Sequence, residues 1–317
     1  MGSLNGGERI ARVLAAQGVK VVYTLCGGHV APILVGAKNA GLRVVDVRDE
    51  ASAVFAADAT ARLTGVPGVA VVTAGPGVTN ALTALKNAQL AGSPLVLFGG
   101  ATGTILRGRG ALQDIDQHSL VASAVKWQTS VERVGDLERA VEKAFAVAKS
   151  GVPGPTFVEC PVDLLYDEAL VRSWYLGSIK GKSLVEKATR GYFGFHLWRQ
   201  FSEGGFASKF LGRKGTGWPE LAIEPEPGAV RRAAGLIAKA ERPLLVVGSQ
   251  AVLEVEHVPQ VAAAIDALGI PTYLAGGARG LLGRNHPLQR RHKRREAMRG
   301  ADRPPRRGAT RRDRSTP

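Results

Sequence analysis

Between Val44 and Asn80 the chain passes from an apolar run (Val44, Val45, Val47) through Arg48-Asp49-Glu50 to an Ala-rich stretch. A second apolar run follows and closes on Gly75-Pro76-Gly77. The pattern predicts strand, helix, strand, with Glu50 at the carboxyl end of the first strand. Ligands of parallel α/β sheets sit where strand ends meet helix starts, so a carboxylate there is placed for chemistry. The Gly-Pro-Gly turn lets backbone approach a ligand that a side chain would block.

The same alternation extends in both directions. Ile10, Val13 and Leu14 recur at helical spacing within residues 6–17, and Gly18 follows as a stop. A short strand is predicted from Lys20 to Leu25. The turn Cys26-Gly27-Gly28-His29 comes next, then a helix from about Ala31 with Pro32 in its first turn. His29 thereby falls on the same sheet edge as Glu50, as a catalytic group or as a structural hydrogen-bonder. Helix Val78–Leu90 and strand Ser93–Phe98 come after the Gly-Pro-Gly turn. Gly99-Gly100 then opens a long polar loop through Arg107 and Arg109 to Leu112-Gln113-Asp114, of a length that points to function. A helix from Asp136 to Lys149, with Asp136 as its N-cap, and a strand over 154–159 complete the unit. The expected fold class is α/β, a parallel sheet with helices on both faces, over residues 1–165.

Residues 166–225 break the rhythm. Ten of the chain's 18 aromatic residues fall between Trp174 and Trp218, among eight Lys/Arg. This segment reads as an aromatic and basic linker whose rings pack on a neighbouring domain, or as an interfacial membrane contact. The α/β pattern resumes with helix Ala229–Ala240, strand Pro243–Gly248, a helix near Val258–Leu268 and strand Ile270–Leu274. Two such units over residues 226–289 make an incomplete Rossmann-like central domain, expected to leave an apolar sheet edge uncovered. From Arg290 on there is almost nothing apolar, and residues 290–317 are expected to be a disordered basic tail. The abrupt change of composition is read as a shifted reading frame or an aberrant truncation.

Charge changes this picture only after it is located. The net charge is +15, but residues 290–317 carry 12 Lys/Arg against 3 Asp/Glu and residues 174–218 carry 8 against 2, so the rest is neutral. Nucleic-acid binding is therefore not expected of the folded body. Two cysteines, Cys26 and Cys160, are too few for a disulfide framework and are expected to be inert core thiols of an intracellular protein. No apolar run reaches the roughly 18 residues of a transmembrane helix, and no signal peptide is recognised.

The motifs resemble a known family. Arg48-Asp49-Glu50 followed by AxxFAADAxAR, then TAGPGVTN, NAQLAGSPLVLFGG and ALQDIDQ, is similar in order and spacing to the amino-terminal, pyrimidine-binding domain of thiamine-diphosphate-dependent enzymes of the acetolactate synthase group. Gly27-Gly28-His29, Val72 to Gly77, Arg109 to Gln113, Ser173 to Leu176 and Ala278 to Leu288 resemble in particular the acetolactate-synthase-like 2-hydroxyacyl-CoA lyases. The resemblance runs to residue 289. It implies that Glu50 hydrogen-bonds a ring nitrogen of the cofactor's aminopyrimidine, favouring the imino tautomer that takes the thiazolium proton. It further implies that Thr73, Gly75, Pro76, Gly77 and Asn80 form the turn under the pyrimidine, and that Gln113 and His29 lie near the substrate carbonyl. Asn87 and Gln89 are assigned to packing or a dimer contact. A homodimer is expected, because the family binds its cofactor across two chains.

The chain departs from that family in one respect. The family's Gly-Asp-Gly and later Asn, which hold the magnesium on the diphosphate, have no counterpart here. The expectation is a truncated lyase or carboligase, with the pyrimidine half-site and no metal site, taking a 2-hydroxyacyl-CoA or a small 2-oxo acid; flavin (FAD) binding is doubtful, because most of the central domain is missing. The alternatives are an acetolactate synthase of branched-chain amino-acid synthesis and a non-catalytic partner that dimerises with a full-length homologue.

Overall fold

The computed structural model describes residues 4–177, 179, 183–202 and 225–291. In chain order the first part holds α1 (Gly6–Ala16), β1 (Val21–Leu25), α2 (Ala31–Asn39), β2 (Arg43–Asp46), α3 (Glu50–Thr64), β3 (Gly68–Val72), α4 (Pro76–Ala91) and β4 (Leu95–Ala101). It continues with α5 (Gln117–Val121), β5 (Trp127–Ser130), α6 (Leu137–Lys149), β6 (Pro155–Pro161), α7 (Val162–Leu165), α8 (Glu168–Leu176) and α9 (Leu184–Phe201). The six strands pair in parallel in the order β2-β1-β3-β4-β6-β5. The expected α/β class is thus the observed one.

Residues of β3, β4 and β6 are buried at every position, so both faces of these strands are covered and, Thr156 and Glu159 apart, carry apolar side chains or glycine. Val69, Val71, Val96, Phe98, Val158 and Cys160 point into the core under α1, α2 and α6. Ala70, Val72, Leu95, Leu97 and Phe157 point into a second core under α3 and α4. Each fully buried Phe or Leu contributes about 1.5–3 kcal/mol, which makes these two layers the main source of stability. The rim strands β2 and β5 have no fully buried residue.

Glycines set how closely the layers approach. A Cβ on Gly68, the first residue of β3, would stand 2.0 Å from the Ala57 carbonyl oxygen of α3. The strand predicted to end at Phe98 continues through Gly99, Gly100 and Ala101, which pair with Glu159, Cys160 and Pro161. Glycine there reads as a loop by propensity. In the fold it is required because a Cβ at Gly99 would lie 2.6 Å from the Phe157 ring and one at Gly100 2.7 Å from His29 Cβ.

Other expectations are corrected. Glu50 is the first residue of α3, with Asp49 as N-cap, rather than the end of β2. Asp136 stands at the N-cap position of α6, but its side chain makes no capping bond, because Val134–Asp136 already turns as a 3₁₀ helix. Cys160 is buried as expected, and that burial pushes its thiol pKa up. Cys26 is exposed, since it lies in the turn after β1 and not within the strand. Within the segment read as a linker, α8 and α9 are regular helices belonging to the first of two compact units, which runs to Val230 and includes Leu253–Glu256. They are joined to its body by the buried Asp163. Its Oδ2 accepts from the Thr104 amide (2.9 Å) and hydroxyl (2.7 Å), Tyr175 (3.3 Å) and Gln200 (3.2 Å).

The second unit holds a three-stranded parallel sheet of β7 (Leu245–Val247), β8 (Thr272–Leu274) and β9 (Gln289–Arg290). Helix α10 (Pro227–Lys239) buries none of its residues, and α11 (Val258–Leu268) buries Ile265. Among the described residues the core cluster here is Val247, Ile265 and Ala278 with partly covered neighbours, and Ile270, just ahead of β8, is also buried. Leu244 and Val246 at the outer strand are exposed, the apolar edge that the pattern predicts. No helix among the described residues is long and apolar enough to cross a membrane. The basic tail expected over residues 290–317 lies outside the described residues beyond Arg291.

Because Gly68 has no room for a side chain against α3, Gly68→Ala is expected to destabilise the first unit by about 1–3 kcal/mol, as overpacking of a close contact does. Urea unfolding followed by far-UV circular dichroism measures this, and an unchanged midpoint would refute the close approach.

Candidate functional site

All six strands run the same way, so every β-to-α turn of the first unit emerges at one edge of the sheet. The chain moves from β1 outward to β2, then back across to β3 on the other side of β1. That reversal opens a crevice between the turns after β1 and β3, the usual place for a ligand in such sheets. His29 lies on one side of the crevice and Thr73 on the other, with Nδ1 and Oγ1 3.4 Å apart. The His29 turn is held by the Cys26 amide donating to Asp46 Oδ1 (3.3 Å) and by Tyr166 donating to the Gly28 carbonyl (3.1 Å). Burial lowers the His29 pKa, so its ring is neutral at pH 7.

Glu50 is buried, at 8% exposure, in the first turn of α3, where the positive end of the helix dipole favours a carboxylate. It is not a surface partner of the nearby arginines: Arg48 pairs with Asp46 and Arg62 with Asp58. Its partner is Asn80 of α4, whose Nδ2 donates to Glu50 Oε2 (2.7 Å) and to Asp49 Oδ2 (2.9 Å). The Asn80 bond, joined by the Ser52 amide, lowers the Asp49 pKa. Glu50 Oε1 has no hydrogen-bond donor among the described residues. It faces Gly77, where a Cβ would come within 3.3 Å of it and 2.9 Å of Thr73 Cγ2. The empty Cβ position at Gly77 therefore keeps one carboxylate oxygen accessible from the turn.

Gly75 has φ of +62°, a conformation for which glycine is strongly preferred, and it places Pro76 at the start of α4. Gln113 lies against it and is itself left-handed at φ +61°, the sole non-glycine with positive φ among the described residues. That conformation costs a non-glycine residue about 1–3 kcal/mol and persists only where surroundings impose it. The candidate residues therefore converge on the Thr73–Gly77 turn at different points: His29 at Thr73, Gln113 at Gly75 and Glu50 at Gly77. Asn87 donates to Asp58 Oδ2 (3.0 Å) and braces α3 against α4, away from this turn.

Beneath the turn the structure adds residues that sequence reasoning missed. Gln117 is buried in α5; its Oε1 accepts from the Gly75 amide (2.9 Å), and its Nε2 donates to the Gly100 carbonyl (3.1 Å) and Glu159 Oε1 (2.6 Å). Glu159 Oε2 accepts from Arg107 (2.8 Å), which also reaches Ser130 (2.8 Å), and His118 Nε2 lies 3.5 Å from the same oxygen. Burial pushes the Glu159 pKa up, but His118, Ser130, Gln117 and the Arg107 charge outweigh it and hold the carboxyl at about 2. Glu159 in turn raises the His118 pKa. Gln113, Arg107, Asp116, Gln117, His118 and Glu159 line an open cavity of about 160 Å³. A carboxylate inside the otherwise apolar strand PTFVECP was the available signal, since a buried charge requires partners.

Comparison with known proteins places these residues among relatives. The model of the thiamine pyrophosphate (thiamine diphosphate) enzyme N-terminal TPP binding domain matches residues 4–120, and that of the thiamine pyrophosphate enzyme central domain matches residues 230–303. The second match runs beyond residue 289, where the motif resemblance was expected to stop. The chain is 49% identical over 301 residues to 2-hydroxyacyl-CoA lyase 2 of Xenopus laevis, covering 94% of this chain and 46% of that protein. It is 46% identical over 298 residues to 2-hydroxyacyl-CoA lyase 2 of Homo sapiens, with the same coverage. A probable acetolactate synthase of Mycobacterium bovis is 32% identical over 302 residues, covering 95% and 48%. The chain spans about half the length of the curated relatives it matches.

Gln117→Leu leaves the Gly75 amide, the Gly100 carbonyl and Glu159 each short of a partner and is expected to cost about 2–4 kcal/mol in urea unfolding. The pH dependence has a definite sign. Glu159 is depressed from 4.5 to about 2 in the fold, so its contribution is full above about pH 4.5 and drains away as pH falls towards 2. Stability measured between pH 6 and 2 should fall less steeply for Glu159→Gln than for the natural protein; equal slopes would contradict the charged cluster.

Proposed function

On the premise that the chain belongs to the thiamine pyrophosphate enzymes, close to the 2-hydroxyacyl-CoA lyase and acetolactate synthase group, we propose that it supplies the pyrimidine half-site of a carbon–carbon lyase or carboligase. The observation that carries this is Glu50, buried at a helix start, with one carboxylate oxygen fixed by Asn80 and the other open above Gly77. The ring N–H that the pyrimidine carries in its imino tautomer fits that open acceptor, and the Gly75-Pro76-Gly77 turn allows a flat ring to lie against backbone.

When bound, thiamine diphosphate supplies a thiazolium that acts as electron sink for cleaving or forming a bond beside a carbonyl. The chain's own residues do the rest. Glu50 would accept a hydrogen bond from the pyrimidine's ring N–H, a charge-assisted bond worth about 1.5–3 kcal/mol. Asn80 holds the carboxylate in place, with Asp49 bonded to the same amide. The neutral His29 imidazole, beside Thr73, is suited to holding or moving a proton at the substrate oxygen. Gln113 offers a carboxamide at the cavity mouth.

We take the substrate to be a 2-hydroxyacyl-CoA in preference to pyruvate, on the higher identity to the lyases than to the probable acetolactate synthase. A full-length homologue would bring the diphosphate and magnesium anchor, for which this chain, and so any homodimer of it, has no Gly-Asp-Gly.

Mixing the chain with a chain that carries the diphosphate-binding domain but has its own pyrimidine-site glutamate replaced is expected to restore cleavage of a 2-hydroxyacyl-CoA. Glu50→Gln in this chain should lower the restored rate about 10- to 150-fold, the equivalent of that one hydrogen bond. No restoration, together with inhibition of a full-length relative on mixing, would make the chain a modulator and overturn the half-site.

A further inference from the structure

Helix α9 is amphipathic the wrong way round. Its inward side is polar: Gln200 is buried and bonded to Thr104 and Asp163, and the half-buried His196 lies 2.8 Å from Thr104 Oγ1. Leu197 is its one buried apolar residue. Its outward side is apolar. Leu184 and Val185 are 85% and 75% exposed, and Tyr192, Phe195 and Trp198 are 54%, 63% and 60% exposed. These positions recur at helical spacing and form one stripe, along which Phe195 and Trp198 stack at 5.8 Å. A helix on a protein surface normally shows water its polar face, and an apolar patch of this extent marks a surface that is covered in use.

The stripe is held rigidly. Asp163, Thr104, His196 and Gln200 fasten α9 to the body of the first unit, and Phe193 meets Tyr175 of α8 edge-on at 6.0 Å. Lys187 and Arg190 accompany the rings, against the single carboxylate Glu186 on the helix, while Arg199 pairs with Glu132 at 3.3 Å and Arg190 also donates to the Ile179 carbonyl (3.2 Å). Two copies meeting through this face would bring like charges together, whereas an anionic surface complements them. Tyrosine and tryptophan have an apolar body and a polar tip suited to headgroup depth, and lysine and arginine can lay their stems along it.

We propose that the exposed face of α9 docks on an anionic lipid surface, with Tyr192, Phe195 and Trp198 entering the headgroup layer and Lys187 and Arg190 meeting lipid phosphates. Docking here needs little ordering, because the polar network already fixes the helix. The contact is independent of the Glu50 site, which lies at the sheet edge and uses none of these residues.

Flotation of the full chain with phosphatidylcholine vesicles, with and without phosphatidylserine, tests the proposal. Binding is expected to be at least tenfold stronger with phosphatidylserine and to weaken with salt. The variant Tyr192→Ser/Phe195→Ser/Trp198→Ser should lose tenfold or more of that binding, and so should Lys187→Glu/Arg190→Glu, which gives up the Arg190 bond to the Ile179 carbonyl but keeps His196, Leu197 and Gln200 and decides the matter if the first variant unfolds. Binding by both variants equal to that of the natural chain would place the contact in another segment, such as the basic tail, and overturn the proposal. So would failure of the natural chain to bind, or conversion of a dimer to a monomer by the aromatic variant without loss of lipid binding, which would assign the face to a second copy.

Discussion

One buried carboxamide links the parts of the site that no pair of neighbouring strands could link alone. Gln117 takes the Gly75 amide on its oxygen and gives its nitrogen to Glu159 and the Gly100 carbonyl, so the turn after β3 is tied to β4 and β6. Gly75 must stay left-handed for α4 to start at Pro76, and α4 must start there for Asn80 to reach Glu50. A carboxylate buried without partners would sacrifice several kcal/mol of solvation or take up a proton. Here Glu159 stays ionised because Arg107, His118 and Gln117 surround it. The open carboxylate at Glu50 and the fully engaged one at Glu159 thus occupy the same sheet edge with different tasks: one left free to accept, the other consumed in holding the frame.

The layers behind that edge work by close approach. Gly68 lets α3 settle onto β3, Gly100 admits His29, and Gly99 admits the Phe157 ring. Each of these glycines trades local propensity for a tertiary contact. The second unit has no comparable interior: among the described residues four apolar side chains are buried, Val247, Ile265, Ile270 and Ala278, and Val246 of the outer strand is exposed. The +15 charge is equally uneven, since the excess lies in residues 174–218 and 290–317 and the remaining residues are neutral. An electrostatic partner is therefore to be sought at α9 and in the tail, and not at the sheet edge that carries Glu50.

The alternation of apolar runs and Ala-rich helices was enough to read the parallel sheet, its two helical faces and the turns carrying His29, Glu50 and Gly75-Pro76-Gly77. Strand and helix periods differ, and a strand buried on both faces leaves a continuous apolar run. What local pattern misread is where the propensity of a residue and its contacts disagree. Gly99 and Gly100 look like a loop and are strand, Asp136 looks like a cap and makes no capping bond, and Cys26 looks like core and is exposed. The aromatic residues after Trp174 read as a linker because their helix hides polar groups and shows apolar ones, the reverse of the pattern that identifies a surface helix.

By itself the sequence determined the α/β class, the order of the turns along one edge and the family to which their motifs belong, because each is set by residues close together in the chain. Only the tertiary structure decided which side chains meet. Asn80 reaches Glu50 from 30 residues away, Gln117 reaches Gly75 from 42, and Asp163 gathers Thr104 and Gln200 from opposite directions along the chain. Parallel strands need long crossovers, so partners across such a sheet are always distant in sequence. No local pattern records the direction in which a donor will point once the layers have closed.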